Sequence, residues 1–122
     1  MFAQCTFLET IEVPFDMSKH NAYNMEGMFA GCINLVDVRF VNESIKESVV
    51  IPSPYLSIGN VFDLTDTENV GSVQSIINGL ATLAEGAAAQ TLTLDEKLPL
   101  TDEQKQAIIT AANNKGWTLA FA

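Results

Sequence analysis

Basic residues are the first scarcity in this chain. Six Lys and Arg stand against 15 Asp and Glu in 122 residues, a net charge of −9. Residues 1–61 hold three basic and seven acidic side chains, and residues 62–122 hold three and eight, so the acidity is spread rather than gathered in a tail. Phosphate binding needs clustered Lys and Arg. Nucleic acid and anionic membrane surfaces are therefore excluded as expected partners, and the charge reads as a solubilising surface. Histidine and cysteine are nearly absent too, with one and two copies. His20 lies between Lys19 and Asn21 with no Cys or second His nearby in sequence. That provides no zinc set and no supported general base. No stretch approaches the ~20 apolar residues of a membrane span. Residues 1–16 carry Glu9, Glu12 and Asp16 and lack the basic start and apolar run of a signal peptide. No serine sits in a G-x-S-x-G turn, and Gly27 and Gly31 are too isolated for a phosphate loop. Neither an enzyme nor a cofactor is expected.

What the chain does contain is an echo. Met1-Phe2-Ala3-Gln4-Cys5-Thr6-Phe7-Leu8 returns 27 residues later as Met28-Phe29-Ala30-Gly31-Cys32-Ile33-Asn34-Leu35, with Met, Phe, Ala, Cys and Leu in register. Ile11 over Val38 and Val13 over Phe40 continue it. A fixed period of this length marks a repeat architecture, each unit burying its apolar face against the next. With 48% hydrophobic residues the chain can fill such a core. Cys5 and Cys32 share one repeat position. Stacked side chains run parallel about 4.8 Å apart rather than towards each other, so free buried thiols are expected. The redox compartment stays open. The chain also starts inside a repeat, and solenoid ends need caps. The expectation is a C-terminal part of a longer protein or an internal start at Met1, with an N-terminal edge prone to self-association.

Alternating inward pairs predict the strands. They are Ile11/Val13, Val38/Phe40, Phe62/Leu64, Leu92/Leu94 and Leu119/Phe121, about five rungs, the second members stepping by 27, 24, 30 and 27. Asn24 to Cys32 reads as a helical turn. Residues 41–60 are irregular or inserted, with Val49-Val50-Ile51 as an extra strand ended by Pro52 and Pro54. Ser72 to Leu83 is a helix candidate capped by Ser72, with Val73, Ile76, Ile77, Leu80 and Leu83 on one face. Thr101 to Asn114 is another. Thr101 and Gln104 have capping-box spacing, and Asp102 and Glu103 suit the positive helix start. Gln104, Ala107, Ile108 and Ala111 form its inner face, and Lys115-Gly116 supplies a basic end and a left-handed stop. Trp117 is expected to plug the last core layer. The fold class is α/β: one domain over 1–122, a short solenoid with a parallel sheet on one face and helices and irregular turns on the other. Residues 1–40 hold two clear repeats, and residues 61–122 hold divergent C-terminal repeats and a cap.

The pattern M-F-A-x-C-x-x-L-x-x-[IV], present twice, resembles the BspA-like leucine-rich repeats, a Cys-bearing branch of the leucine-rich repeat family. Leu100-Thr101-Asp102-Glu103-Gln104, followed by Asn114-Lys115-Gly116-Trp117-Thr118-Leu119, is similar to the C-terminal unit found on such repeats in gut Bacteroides proteins and in phage tail proteins. The usual consensus Asn is replaced by Asp16 and Glu43, which departs from an Asn ladder. The resemblance implies a non-catalytic protein-interaction or adhesion module at the cell surface or outside the cell, with a protein partner or host-surface ligand. A structural or receptor-binding part of a phage tail is the alternative.

The same register assigns a binding face. Residues flanking the inward pairs face solvent: Thr10, Asp37, Val61, Thr91 and Thr118 in one row, and Glu12, Arg39, Asp63, Thr93 and Ala120 in the next. Glu12, Arg39 and Asp63 are expected to stack with alternating sign, each exposed pair giving at most ~1 kcal/mol and setting register. The face lacks exposed aromatic anchors, which favours an avidity-driven contact. Asp63, Asp66 and Glu68 lack calcium-loop spacing and read as a solvated acidic turn.

Overall fold

The computed structural model describes residues 31, 33–68 and 70–122. Ile11/Val13, the 24–32 turn, His20, Cys5 and Cys32 lie outside the described residues. The elements run β1 (Val49–Ile51), α1 (Ser72–Gly79), β2 (Gln90–Leu94), α2 (Asp102–Asn114) and β3 (Trp117–Phe121). The fold is a small α/β unit in which three strands form one parallel sheet in the order β1-β2-β3. Each strand is reached from the one before through a crossover carrying a helix, as parallel neighbours require.

The register between β2 and β3 pairs Leu92 with Leu119 and Leu94 with Phe121, a step of 27 residues. Both inward pairs expected from the alternation are present. Leu92 and Leu94 are buried, and Leu119 and Phe121 pack against the core from its margin. On the other side of β2, Val49 pairs with Leu92 and Ile51 with Leu94. The strand next to β2 is therefore 49–51, with Val49 and Ile51 fully buried. The expected rung at Phe62 and Leu64 is not a strand, and the five-rung solenoid is correspondingly not seen in this sheet.

The reason lies in three polar side chains at three-residue spacing. Asn60 Oδ1 accepts from the backbone N–H groups of Phe62 and Asp63, both at 3.1 Å. Asp63 Oδ1 accepts from the Thr65 N–H at 3.1 Å and from the Thr65 hydroxyl. Asp66 Oδ1 accepts from the Glu68 N–H at 2.8 Å. Asn and Asp side chains that bond the backbone two residues on curl the chain into turns and compete with sheet pairing. The alternation Phe62-Asp63-Leu64 is overruled by these local bonds. The edge of segment 36–40 is met instead by helix α1, whose serines act as strand partners. Ser72 Oγ accepts from the Val38 N–H and donates to the Val36 carbonyl, at 2.8 and 2.7 Å. Ser75 Oγ accepts from the Phe40 N–H at 2.8 Å.

Helix α1 ends four residues earlier than its apolar periodicity predicts, and Ser72 lies inside it rather than capping it. The N-cap is Gly71. The free N–H groups of the first turn are taken by the preceding loop: Ser72 N–H by Ser57 Oγ, Val73 N–H by the Ser57 carbonyl and Gln74 N–H by the Ile58 carbonyl, at 2.9, 2.9 and 3.1 Å. At the other end, Leu80 turns to an extended conformation and forms a parallel bridge with Ile45. Ile45 N–H donates to the Gly79 carbonyl and Ala81 N–H donates to the Ile45 carbonyl, both at 2.8 Å. Val73, Ile76, Ile77 and Leu80 are buried as their spacing requires, and Leu83 is half-buried.

Helix α2 follows the sequence closely. Thr101 Oγ1 accepts from the Gln104 N–H at 3.1 Å, and Gln104 Oε1 accepts from the Thr101 N–H at 2.8 Å. This reciprocal pair satisfies two donors of the helix entrance. Gly116, at φ +87°, stops the helix. Its inner face turns on Ile108 and Ala112, which are buried, with Ala111 at the margin, whereas Gln104 and Ala107, expected on that face, are only half-buried. Trp117 closes the layer between the helices and the sheet at 1% exposure, and its indole N–H donates to the Ala81 carbonyl at 2.8 Å.

Lys115 does not serve its own helix. Its Nζ reaches the carbonyls of Ile77, Asn78 and Leu80 at 3.2, 3.3 and 2.8 Å, so the basic residue after α2 caps the C-terminal end of α1. A cation at a helix C-terminus meets the negative end of the macrodipole. Burial holds the Lys115 ammonium below the ordinary lysine range, and the Glu43 carboxylate opposes that shift. Lys115→Met tests the arrangement. The Ile77 and Asn78 carbonyls keep a backbone donor, from Leu80 and Glu43 respectively. The expected loss is thus about 1–2 kcal/mol, the cost of one poorly replaced charged hydrogen bond. Urea unfolding measures it, and amide exchange should quicken first at Leu80 and Ala81.

Candidate functional site

Two surfaces stand out: the face of the sheet turned away from the core, and a groove on the opposite side beside α2. On the sheet, Thr91 lies opposite Thr118, and Val50, Thr93 and Ala120 form the next row. Thr118 is exposed, and Thr91 and Thr93 are half-buried. At its β1 end, Ser48 Oγ accepts from the Thr91 N–H and donates to Gln90 Oε1, both at 2.9 Å. The described residues of this face are small and uncharged, and Ser48 and Gln90 pair at its β1 end.

The remaining residues of the expected face do not join it as one row. Thr10 and Glu12 lie outside the described residues. Asp37 and Arg39 are half-buried and bind each other, Oδ1 to Nη2, at 3.4 Å. Asp37 Oδ1 also accepts from the Ser57 hydroxyl at 3.3 Å. Val61, expected in solvent, is 3% exposed, whereas Phe62, expected in the core, is 64% exposed. This inversion follows from the Asn60 turn, which rotates the segment relative to a strand. Asp63 is held by Thr65 in its turn and does not stack on Arg39 across neighbouring strands. The alternating ladder is replaced by the Asp37–Arg39 pair within one segment. Such a half-exposed pair contributes little to stability.

The groove has a volume of about 600 Å³ and runs between the turn at 61–64 and α2. Val61, Leu64, Ala107 and Ala111 form its apolar lining, and Phe62, Asp63, Glu103, Gln106, Thr110 and Asn114 surround it. The size lies within the usual range for ligand-binding clefts. Residues 62–64 reached this surface through turn chemistry that the alternation concealed. Three polar residues on one stripe of α2, Glu103, Gln106 and Thr110, were legible at helical spacing but had no visible counterpart to face. A second cavity, about 520 Å³, lies between Arg39, Asn42, Asp66, Gln74 and Asn78. Its amides already have work within the fold: Gln74 Nε2 donates to the Asp66 carbonyl at 2.8 Å, and Asn78 Nδ2 to the Leu64 carbonyl at 2.9 Å.

Among the described residues, no three His, Cys, Asp or Glu side chains converge as metal ligands. Asp63 and Asp66 instead hold backbone turns. No helix among the described residues is long and apolar enough to cross a membrane. No family model, curated protein or solved structure matches this chain.

Proposed function

We propose that this chain is a non-catalytic protein-interaction or adhesion module, built as the C-terminal part of a BspA-like leucine-rich-repeat solenoid and working at a cell surface or outside the cell. One observation carries the reading. The 27-residue step that separates the two Met-Phe-Ala repeats in the sequence is also the step that brings β2 and β3 into register. Stacked repeats of equal length produce that coincidence, because each turn of the coil must return its strand to the same height. The outward sheet face, with Thr91, Thr93 and Thr118, is the contact surface in this reading. Its small side chains and lack of aromatic anchors suit many weak contacts rather than one tight one.

Multivalent display of the chain on beads should therefore produce adhesion to epithelial cell layers that the free chain at equal concentration does not. The change Thr118→Lys, at the exposed position of this face, should abolish it without moving the urea midpoint. Adhesion that survives this change removes the sheet face from the account. The alternative, a structural or receptor-binding part of a phage tail, shares the C-terminal resemblance, and assembly into tail-like particles under electron microscopy would select it. An enzyme is the third and least favoured reading.

A further inference from the structure

The groove beside α2 is unusual in its charge as well as its shape. Phe62, which is exposed, lines it together with Asp63 and Glu103, and among the described residues no Lys, Arg or His lines it. Two of the described cations are directed elsewhere. Lys105 Nζ sits 5.5 Å from the Phe121 ring centroid, and Lys115 is tied to the end of α1. An aromatic face and two carboxylates attract one kind of group: a cation carried on an apolar stem.

We propose that this groove binds an arginine-bearing segment of a partner protein, with the guanidinium on the Phe62 ring between Asp63 and Glu103 and the flanking apolar side chains against Leu64, Ala107 and Ala111. A planar guanidinium stacks on an aromatic face and pairs with carboxylates in a way that an ammonium does not. The volume accommodates a guanidinium with one or two neighbouring side chains, more than a single ion needs. The net charge of −9 draws such a partner in from a distance. The proposal concerns a surface separate from the sheet face and stands or falls independently of it.

The test uses the full chain and a fluorescein-labelled hexapeptide in which one arginine lies between two leucines, followed by anisotropy. The same peptide with citrulline in place of arginine keeps the shape and removes the charge. The arginine peptide should bind at least about tenfold more tightly than the citrulline peptide. Phe62→Ala and Glu103→Gln should each erase most of that difference, while circular dichroism and the urea midpoint stay unchanged because both side chains are exposed. Amide shifts in the arginine complex should centre on Phe62, Ala107 and Ala111. Equal binding of the two peptides, an unchanged preference in both variants, shifts centred elsewhere, or no binding up to about 1 mM peptide would each overturn the proposal.

Discussion

Replacing Trp117 with alanine should cost about 3–5 kcal/mol, the range for removing a fully buried large aromatic side chain. Two effects add. The indole fills the space where the two helices meet the sheet, among the largest wholly buried side chains of the structure. Its N–H is also the donor to the Ala81 carbonyl, which sits in the same short stretch that bridges to Ile45. Trp117→Phe separates the two: it keeps most of the apolar filling and leaves the carbonyl without its indole partner, so about 1–3 kcal/mol is expected. A domain of this size has about 5–15 kcal/mol to lose. The alanine variant should therefore be partly unfolded at 37 °C while the phenylalanine variant stays folded. Trp117 is the only tryptophan, so unfolding must be followed by far-ultraviolet circular dichroism rather than by indole fluorescence.

The second large effect is expected at a pair of glycines. A Cβ on Gly71 would come within 2.2 Å of the Gly59 nitrogen and 2.3 Å of the Ile58 carbonyl carbon. A Cβ on Gly59 would meet the Gly71 nitrogen at the same 2.2 Å, and Gly59 also sits at φ +74°. The opposing atoms are backbone, so no rotamer change can relieve the clash. The two chains approach this closely because the Ser57 and Ile58 carbonyls satisfy the first free N–H groups of α1. Gly71→Ala must therefore separate the loop from the helix and break those bonds as well. A loss of about 3 kcal/mol or more is expected. Gly86→Ala serves as the control. Its φ of +84° carries conformational strain, but a Cβ there meets nothing within 4 Å. About 1 kcal/mol is expected for it. Equal losses in the two variants would show that the close approach contributes nothing.

Both sites bear on how the sequence can be read. Trp117 was legible as the last plug of the core because it opens a strand that follows a helix with clear start and stop signals. The Gly59–Gly71 contact was not legible, since nothing local to either glycine names the other across 12 residues. Phe62 shows the same limit from the opposite side. Its alternation with Leu64 fits a strand, and only the bonds of Asn60 and Asp63 to the backbone reveal the turn. The groove of the candidate site is a product of that turn, so no inspection of α2 alone could find it.

What the sequence by itself determined is what short-range physics controls. The 27-residue period, the alternation of β2 and β3, the capping box of α2 and its glycine stop each depend on residues within a few positions of one another or on exact recurrence. The tertiary structure decided where local preferences compete or where a partner is distant. It selected 49–51 over 62–64 as the neighbour of β2, because the Asn60 and Asp63 turns consume the backbone groups that a strand would need. It sent Lys115 to the end of α1, because three carbonyls converge there and none of them is near it in sequence. It turned Phe62 outward into the lining of a groove shared with Asp63 and Glu103, which exists only once the turn and α2 have packed side by side.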